Sequence, residues 1–337
     1  MQGTMMRPPP RLSMDMGAFA QGLLLVAAAI VGLAVYAFIA GPAHLRALQD
    51  AAPALTVPVE SAEPAVQTAP ADASPFYGGA LPQRAEDGRT PFVAFRAPAP
   101  AVPAGRGRIA LMVADFGLSE SGSAGVLESL PPEAAVILSP YAARADAWAA
   151  RAREGGREVW LHLPLSSGET ENAGPLSLSA TMGVAPGAQA LRAVLGTARG
   201  YAGVAGFFRR EVSADAPAIR AALGEVLTRG LALAQIAPPG AEGAEEEDPI
   251  AALARMQDAP YVRADMVLAP QDPQDVPAAL AQVEELAHIR GHALLVVAPW
   301  PSVVGRVASW ADGLPAAGLA LVPPSALAGA TYADGGP

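Results

Sequence analysis

The sequence predicts an α/β protein: a distorted (β/α)7–8 barrel over residues 107–328, preceded by one transmembrane helix and a disordered linker. Three observations predict this arrangement. After residue 107, short apolar runs alternate with amphipathic segments. A long apolar segment lies near the N-terminus, and a segment rich in proline and alanine separates the two. An open, doubly wound sheet is the alternative, although no Gly-x-Gly-x-x-Gly motif follows the first strand to indicate a dinucleotide site.

The N-terminal apolar segment, residues 18–40, reads AFAQGLLLVAAAIVGLAVYAFIA and contains Gln21 as its one clearly polar side chain. As a helix rising 1.5 Å per residue it spans roughly 30–35 Å, which matches the hydrocarbon core of a bilayer. The apolar part of a cleavable secretory signal is shorter, about 7–15 residues. We therefore expect a retained single-pass anchor, with residues 1–17 in the cytoplasm and the remaining chain on the other side of the membrane.

The segment that follows, residues 41–106, is so rich in proline and alanine that no helical or strand period survives. Such a composition is typical of an extended, largely disordered linker. Within it, the sequence FVAFR at residues 92–96 predicts a short strand that docks on the domain. Residues 329–337 are expected to form a C-terminal tail.

The domain itself contains eight apolar runs, which predict its strands, and seven amphipathic segments, which predict its helices. Continuous apolar strands that alternate with helices are typical of a parallel sheet buried on both faces. The strand runs begin at Ile109, Ala134, Glu158, Ala202, Leu231, Ala264, Ala293 and Leu319. The helical segments cover residues 123–129, 142–153, 188–199, 216–228, 249–256, 276–289 and 302–310.

Charge and composition exclude several classes of function. The net charge of −10 argues against a nucleic-acid-binding protein, which needs a basic surface. The absence of cysteine excludes disulfides, a cysteine nucleophile and cysteine-ligated zinc.

The candidate functional residues follow the predicted strands, because the sites of α/β barrels lie at the carboxyl ends of their strands. Asp115 and His162 are the candidates for a remnant metal or polar site. Aromatic and basic side chains at the other strand ends predict a binding cleft, since aromatic rings stack on sugars and arginines bind carboxylates. These cleft candidates are Tyr141, Phe207, Arg209, Arg210 and Trp300.

Several of these segments resemble a known family, the divergent polysaccharide deacetylases of bacterial envelopes. The resemblance rests on RIALMVADFGLS, GGREVWLHLPLSS, YAGVAGFF and the C-terminal GHALLVVAPWPSVVGRVASWADGLPAAGLALVPPSAL. It implies a barrel of the polysaccharide-deacetylase type and a metal-dependent hydrolase that removes N-acetyl groups from glycans. It also implies that the anchor lies in a bacterial inner membrane, with the domain in the periplasm.

The same resemblance implies that most of the catalytic residues are lost. The family has two adjacent aspartates after the first strand, a base and a metal ligand, and here they are Ala114 and Asp115. His162 is kept in its His-Leu-Pro motif. Phe207 stands where the family has a metal-binding histidine, and Ala298 replaces the histidine after the seventh strand. We therefore expect no cofactor, or zinc or another divalent metal if the domain is active.

Each remaining donor also has an ordinary structural interpretation. Asp115 is either a remnant ligand or a helix N-cap or turn residue, and His162 is either a remnant ligand or a hydrogen-bonded core histidine. Since a hydrolytic zinc site needs about three protein ligands, Glu169 or Glu171 would have to supply the third. The pair of His288 and His292 has the spacing of a helical metal site, but the intervening Gly291 should end the helix.

The sequence thus predicts a membrane-anchored envelope protein whose deacetylase-like domain is a non-catalytic glycan- or protein-binding module. Its expected partners are the membrane and peptidoglycan, another envelope glycan or envelope proteins, and not nucleic acid. The alternative is an active metal-dependent hydrolase that removes N-acetyl groups from a polysaccharide.

Overall fold

The computed structural model describes residues 75–166, 174–208, 216–236, 248–268 and 275–328. The chain divides into two compact units, Met1–Gln67 and Thr68–Pro337, and every described residue belongs to the second. The predicted transmembrane span 18–40, the tail 329–337 and two cleft candidates, Arg209 and Arg210, lie outside the described residues. Within the described ranges, no helix combines the length and apolar character needed to cross a membrane.

The described elements alternate between strands and helices, as predicted. The strands are β1 (Tyr77–Gly78), β2 (Leu81–Pro82), β3 (Gly107–Phe116), β4 (Ala135–Leu138), β5 (Val159–Leu163), β6 (Leu165–Ser166), β7 (Leu178–Ser179), β8 (Gly203–Phe207), β9 (Ala232–Ile236), β10 (Tyr261–Arg263), β11 (Met266–Leu268), β12 (His292–Val297) and β13 (Leu319–Val322). The helices are α1 (Pro91–Phe95), α2 (Glu120–Ser129), α3 (Ala145–Glu154), α4 (Val184–Leu195), α5 (Pro217–Thr228), α6 (Pro249–Met256), α7 (Val276–Arg290) and α8 (Pro301–Gly313), followed by a 3₁₀ turn at Pro324–Leu327.

The main sheet is parallel throughout, and it curls. Its strands lie in the order β10, β9, β8, β5, β4, β3, β12 and β11, and β13 pairs with the first half of β3. The two end strands, β10 and β11, are consecutive in the chain and are separated only by Ala264 and Asp265. The alternation of apolar runs and amphipathic segments in the sequence therefore predicted the α/β fold and the barrel-type sheet correctly. β10 was not predicted, because it has only three residues, with Pro260 before it and Ala264 and Asp265 after it.

The two residues between β10 and β11, Ala264 and Asp265, link the two ends of the sheet. The amide of Ala264 donates to the Gln235 carbonyl of β9 (2.8 Å), and the amide of Asp265 donates to the Leu294 carbonyl of β12 (2.9 Å). The Asp265 carboxylate also accepts the Leu294 amide (2.7 Å) and pairs with Arg290 (3.1 Å). Asp265 thus acts in sheet closure, at the point where the chain changes its neighbouring strand.

The inner face of the curled sheet combines Trp160 with several alanines and with larger apolar side chains such as Met112, Ile137 and Leu294. Trp160 of β5 is fully buried, and a Cβ atom on Gly203 of β8 would lie 2.6 Å from its ring. Leucine and valine from the outer face of the same strands pack against the helices. Part of the high alanine content therefore serves the interior, where these alanines share one buried cluster with Trp160: Ala110, Ala135, Ala205, Ala232 and Ala234.

The amino ends of the strands form the floor of the barrel. Residues 75–106 fold against this floor, so the prediction that they belong to a disordered linker is wrong. Phe76, Phe92 and Phe95 are buried there. The Phe92 amide donates to the carbonyl of Gly230, just before β9 (3.1 Å), and the Ala97 amide donates to Glu158, just before β5 (3.0 Å). Composition suggested disorder, but these three aromatic anchors bury enough apolar surface to order the segment. The remaining linker residues, 41–74, lie outside the described part.

The predicted short strand at residues 92–96 is also wrong, since this segment forms helix α1. The Thr90 hydroxyl accepts the Val93 amide as an N-cap, and Pro91 occupies the first helical position. Proline is favoured there because its missing N–H would have had no partner in the helix. Gly291, with φ of 79°, ends α7 as predicted, and His292 begins β12, so His288 and His292 do not share one helix.

Candidate functional site

The carboxyl ends of the strands form the mouth of the barrel, opposite the floor. Asp115 lies at the end of β3, His162 at the end of β5 and Phe207 at the end of β8. Tyr141 follows β4, and Trp300 follows β12. The parallel sheet therefore brings these five predicted residues to one end of the domain.

Asp115 has a strained backbone and an uncompensated side chain. Its φ of 54° lies in the left-handed region, which residues other than glycine, asparagine and aspartate rarely adopt. Its carboxylate lies at the exposed rim and accepts no hydrogen bond from the described residues, and partial burial raises its pKa. It is not a helix N-cap, because Ser119 caps α2 by accepting the Gly122 amide (3.1 Å).

His162 faces the interior of the barrel directly above Trp160, two residues along β5. Its imidazole meets the ring of Phe207 edge-on, with centroids 5.4 Å apart. Burial lowers the pKa of His162 to about 4, so the imidazole is neutral at physiological pH. Among the described residues it has no hydrogen-bond partner, and its ring contact is with Phe207.

The described residues do not fit a catalytic zinc centre. Asp115 and His162 supply two donors, but no group of three histidine, aspartate or glutamate side chains comes together in the described ranges. A hydrolytic site needs about three ligands and an open position for water. The side chain next to His162 is instead the apolar ring of Phe207. Glu169 and Glu171, the candidates for a third ligand, lie outside the described residues.

Tyr141 contacts the loop that contains Gly174 and Leu176, at the mouth of the barrel. Its hydroxyl accepts the amide of Leu176 (3.2 Å), and a Cβ atom on Gly174 would lie 2.5 Å from that hydroxyl. The loop leads into β7, which pairs with β6, the two-residue strand that follows β5 after Pro164. Tyr141 therefore positions this side of the mouth, a role that no local pattern in the sequence indicated.

Trp300 lies at the rim with its ring accessible. It precedes the first residue of α8 and is 45% exposed. Leu118, which the sequence analysis did not select, is 54% exposed after β3. Since β3 and β12 pair directly, with Val113 opposite Val297, the two side chains belong to the same edge of the mouth.

The sequence analysis also missed a polar residue, Glu158, which is fully buried at the floor. Its carboxylate accepts the Trp160 indole N–H (3.1 Å), the Ala97 amide (3.0 Å) and the Ser325 amide (3.2 Å). The alternation of side chains along β5 could have indicated this residue. Glu158 lies on the same inward face as Trp160 and His162. Its role is structural, since it joins the floor segment, the barrel and the C-terminal turn.

Comparisons with known proteins agree with this architecture. A search of curated proteins gives no significant match. Among solved structures, an uncharacterized protein of Agrobacterium tumefaciens shares 24% identity with a TM-score of 0.66, over 73% of this chain and 98% of its own, which shows a common fold. A Bdellovibrio bacteriovorus peptidoglycan deacetylase aligns at 13% identity with a TM-score of 0.37, over 70% of this chain and 56% of its own.

The family comparison covers most of the domain. The model of the divergent polysaccharide deacetylases matches residues 111–328, from the first barrel strand to the turn that follows β13. This match extends over more than half of the chain and includes every described residue of the mouth. The protein therefore belongs to the family of divergent polysaccharide deacetylases.

Proposed function

We propose that this protein is a non-catalytic glycan-binding member of its family, anchored in the bacterial inner membrane with its domain in the periplasm. The contact between Phe207 and His162 carries the proposal. It puts an apolar ring beside one of the two remaining donors, where hydrolysis would need a further ligand or an activated water. Residues 18–40 support the anchor by their length and apolar character.

The chemistry of amide hydrolysis explains why this contact matters. An N-acetyl group is cleaved by a water that a metal or a base must activate. Ala114 precedes Asp115 and offers no base, and Ala298 offers no donor at the end of β12. The described mouth therefore retains Asp115 and His162, while alanine occupies positions 114 and 298, where the family resemblance implies a base and a metal-binding histidine.

The binding role draws on the exposed part of the mouth. Trp300 offers an accessible aromatic face, and such faces stack on sugar rings. Arg209 and Arg210 remain sequence-based candidates for contacts with the carboxylates of peptidoglycan stem peptides. Peptidoglycan is the envelope glycan that we propose as the partner, and an envelope protein is the other candidate.

An active metal-dependent deacetylase is the second candidate function, and the geometry of Asp115 favours it. A left-handed aspartate whose carboxylate lacks a partner is a strained residue, and such strain tends to persist where function requires it. In that case Asp115 and His162 would hold the metal together with a ligand from outside the described residues.

The experiment that separates these functions uses the full-length protein purified in detergent. We expect well under one zinc per chain, and no acetate released from an N-acetylglucosamine hexamer or from peptidoglycan, with or without added divalent metal. The control is Asp115→Asn, measured in the same assay. One tightly bound metal per chain, together with turnover that Asp115→Asn abolishes, would establish the deacetylase instead.

A further inference from the structure

A groove of about 530 Å³ opens at the floor of the barrel, between the last residues of the segment 75–106 and the C-terminal turn. Its lining combines apolar side chains such as Val102 with Arg106 and Arg108, and the described lining includes no aspartate or glutamate. Arg108 is held in position, because its guanidinium donates to the carbonyl of Ala326 (3.3 Å). The groove therefore suits an anionic group that is carried on an apolar molecule.

Three further arginines stack on the aromatic side chains of the segment 75–106. The distances from guanidinium carbon to ring centroid are 4.8 Å, 5.3 Å and 6.0 Å in these pairs: Arg153 over Phe95, Arg199 over Tyr77 and Arg96 over Phe92. The rings of Tyr77 and Phe95 are 6.2 Å apart, so Arg153 and Arg199 belong to one cluster. Stacking uses the flat face of a guanidinium and leaves N–H groups at its edge for oxygen anions.

The buried carboxylate of Glu158 joins the groove to these stacked arginines. One of its oxygens accepts the amide of Ala97, which follows Arg96. The other accepts the amide of Ser325, which precedes Ala326 of the groove. Five arginines therefore form one surface, which we call the basic floor: Arg96, Arg106, Arg108, Arg153 and Arg199. Within the described ranges none of the five forms an ion pair, so this surface is positive although the whole chain carries a net charge of −10.

Exposed apolar side chains accompany this charge. Met256 (84% exposed) and Ile289 (72% exposed) lie at the ends of α6 and α7, and Val93 of α1 is 46% exposed. Because α6 and α7 precede β10 and β12, their last residues lie at the floor. Arginines together with apolar side chains suit the surface of an anionic bilayer, where guanidinium groups meet lipid phosphates and apolar groups enter the interface.

We propose that the basic floor docks the domain on an anionic phospholipid bilayer, with a lipid phosphate bound in the groove by Arg106 and Arg108. This inference rests on the proposed membrane anchor and adds a second contact with the same membrane. Residues 41–74 join the predicted span to the first residues at the floor. A chain of this length reaches at most about 120 Å, so the bilayer stays close to the floor and a weak contact is sufficient.

The test places the full-length protein in nanodiscs of phosphatidylcholine, with or without phosphatidylglycerol. The chain contains no cysteine, so one introduced cysteine can carry a fluorescent donor, and energy transfer to acceptor-labelled lipid reports its distance from the bilayer. Val93→Cys labels the floor, and Ser302→Cys labels the mouth at the start of α8. We expect transfer from the floor label to be higher in the anionic discs than in the neutral ones, and transfer from the mouth label not to rise with it.

Substitutions identify the arginines responsible. Arg96→Gln combined with Arg106→Gln should lower the ratio of docked to undocked protein about tenfold or more, since each arginine near an anionic bilayer contributes about fivefold. The matched control is Arg144→Gln with Arg306→Gln, which removes an equal charge from exposed sites just before α3 and within α8, and should keep the docking. High salt should release the floor, because exposed charges are screened. Thermal melting verifies that each variant is folded.

Several results would overturn the inference: equal transfer from the floor label in both kinds of disc, an equal rise for the mouth label, or docking that survives the loss of Arg96 and Arg106. Docking that appears only after removal of residues 329–337 would make this tail the occupant of the groove. Binding of a polyglutamate peptide without docking on anionic discs would assign the basic floor to an acidic protein partner. Failure of the protein to enter neutral discs contradicts only the proposed anchor, and the same labels then test the floor with the protein added to anionic vesicles.

Discussion

The ring of Phe207 stands against the imidazole of His162 at an interplanar angle of 88°, an edge-on aromatic contact inside the mouth of the barrel. The two residues lie on neighbouring strands, since His162 of β5 pairs in register with Ala205 of β8, two residues before Phe207. This contact supplies packing where a further polar donor would be needed to hold a metal.

Replacing Phe207 tests that interpretation directly. Phe207→His puts a new nitrogen donor beside His162 and adds a third donor to the mouth, so the variant should bind more zinc than the wild type. The measurement is metal content after zinc loading and gel filtration. Phe207→Leu is the control, because it removes the ring without adding a donor. A wild-type protein that already holds one zinc per chain would contradict the prediction.

Two tryptophans separate binding from stability. Trp300 is 45% exposed, so Trp300→Ala should change the free energy of unfolding by less than about 1 kcal/mol while weakening glycan binding. Trp160 is fully buried, so Trp160→Ala should cost about 3–5 kcal/mol. Chemical denaturation and a peptidoglycan pull-down measure the two effects. A large loss of stability in Trp300→Ala, with unchanged peptidoglycan binding, would assign that residue to packing.

Glu158 predicts a pH dependence of stability. Burial raises its pKa in the folded protein, although hydrogen bonds from Ser325, Trp160 and Ala97 act in the opposite direction. A carboxyl whose folded pKa is raised contributes stability below its unfolded pKa of about 4.3, and loses that stability as the pH rises through the folded value. For one group the slope is at most about 1.4 kcal/mol per pH unit.

Glu158→Gln should therefore flatten the decline in unfolding free energy as pH rises from about 4.3 through the folded pKa of Glu158. Urea denaturation at a series of pH values gives the comparison with wild type. Glu154→Gln, an exposed glutamate at the end of α3, is the matched control and should leave the profile unchanged. Identical profiles for wild type and Glu158→Gln would show that the buried carboxyl is not perturbed.

His162 should make stability depend on pH with the opposite sign and over a different pH range. Its folded pKa is lowered by burial from 6.5 to about 4, so its contribution to stability is complete above 6.5 and declines as the pH falls toward 4. The NMR resonance of the imidazole, assigned by its loss in His162→Gln, should stay in the neutral form down to about pH 5. Titration near pH 6.5 would mean that water reaches this ring freely.

The proposed topology is tested with reporter fusions. The fusion point should follow Ser74, because residues 75–106 fold against the barrel and a fusion within them would interrupt the domain. We expect activity from a reporter that functions only in the periplasm, and none from a cytoplasmic one. Recovery of a soluble protein without residues 1–43 would identify the apolar segment as a cleaved signal.

The sequence by itself determined the order and type of the main barrel elements, although it missed β10 and predicted a strand where α1 forms. Each of the eight apolar runs overlaps a strand, and each of the seven amphipathic segments overlaps a helix. These predictions rest on local periodicity, because the spacing of apolar residues indicates which face of a strand or helix is buried. The strand-end rule likewise identified Asp115, His162, Phe207 and Trp300 without knowledge of their contacts.

Only the tertiary structure decided which distant residues meet. Glu158 contacts an amide 61 residues earlier and another 167 residues later, and Asp265 joins two strands that are far apart in the chain. The fold of residues 75–106 depends on aromatic side chains that reach a barrel formed by later residues, so composition suggested disorder. Such contacts exist only after the sheet has curled, because curvature, and not local periodicity, brings its ends and its floor together.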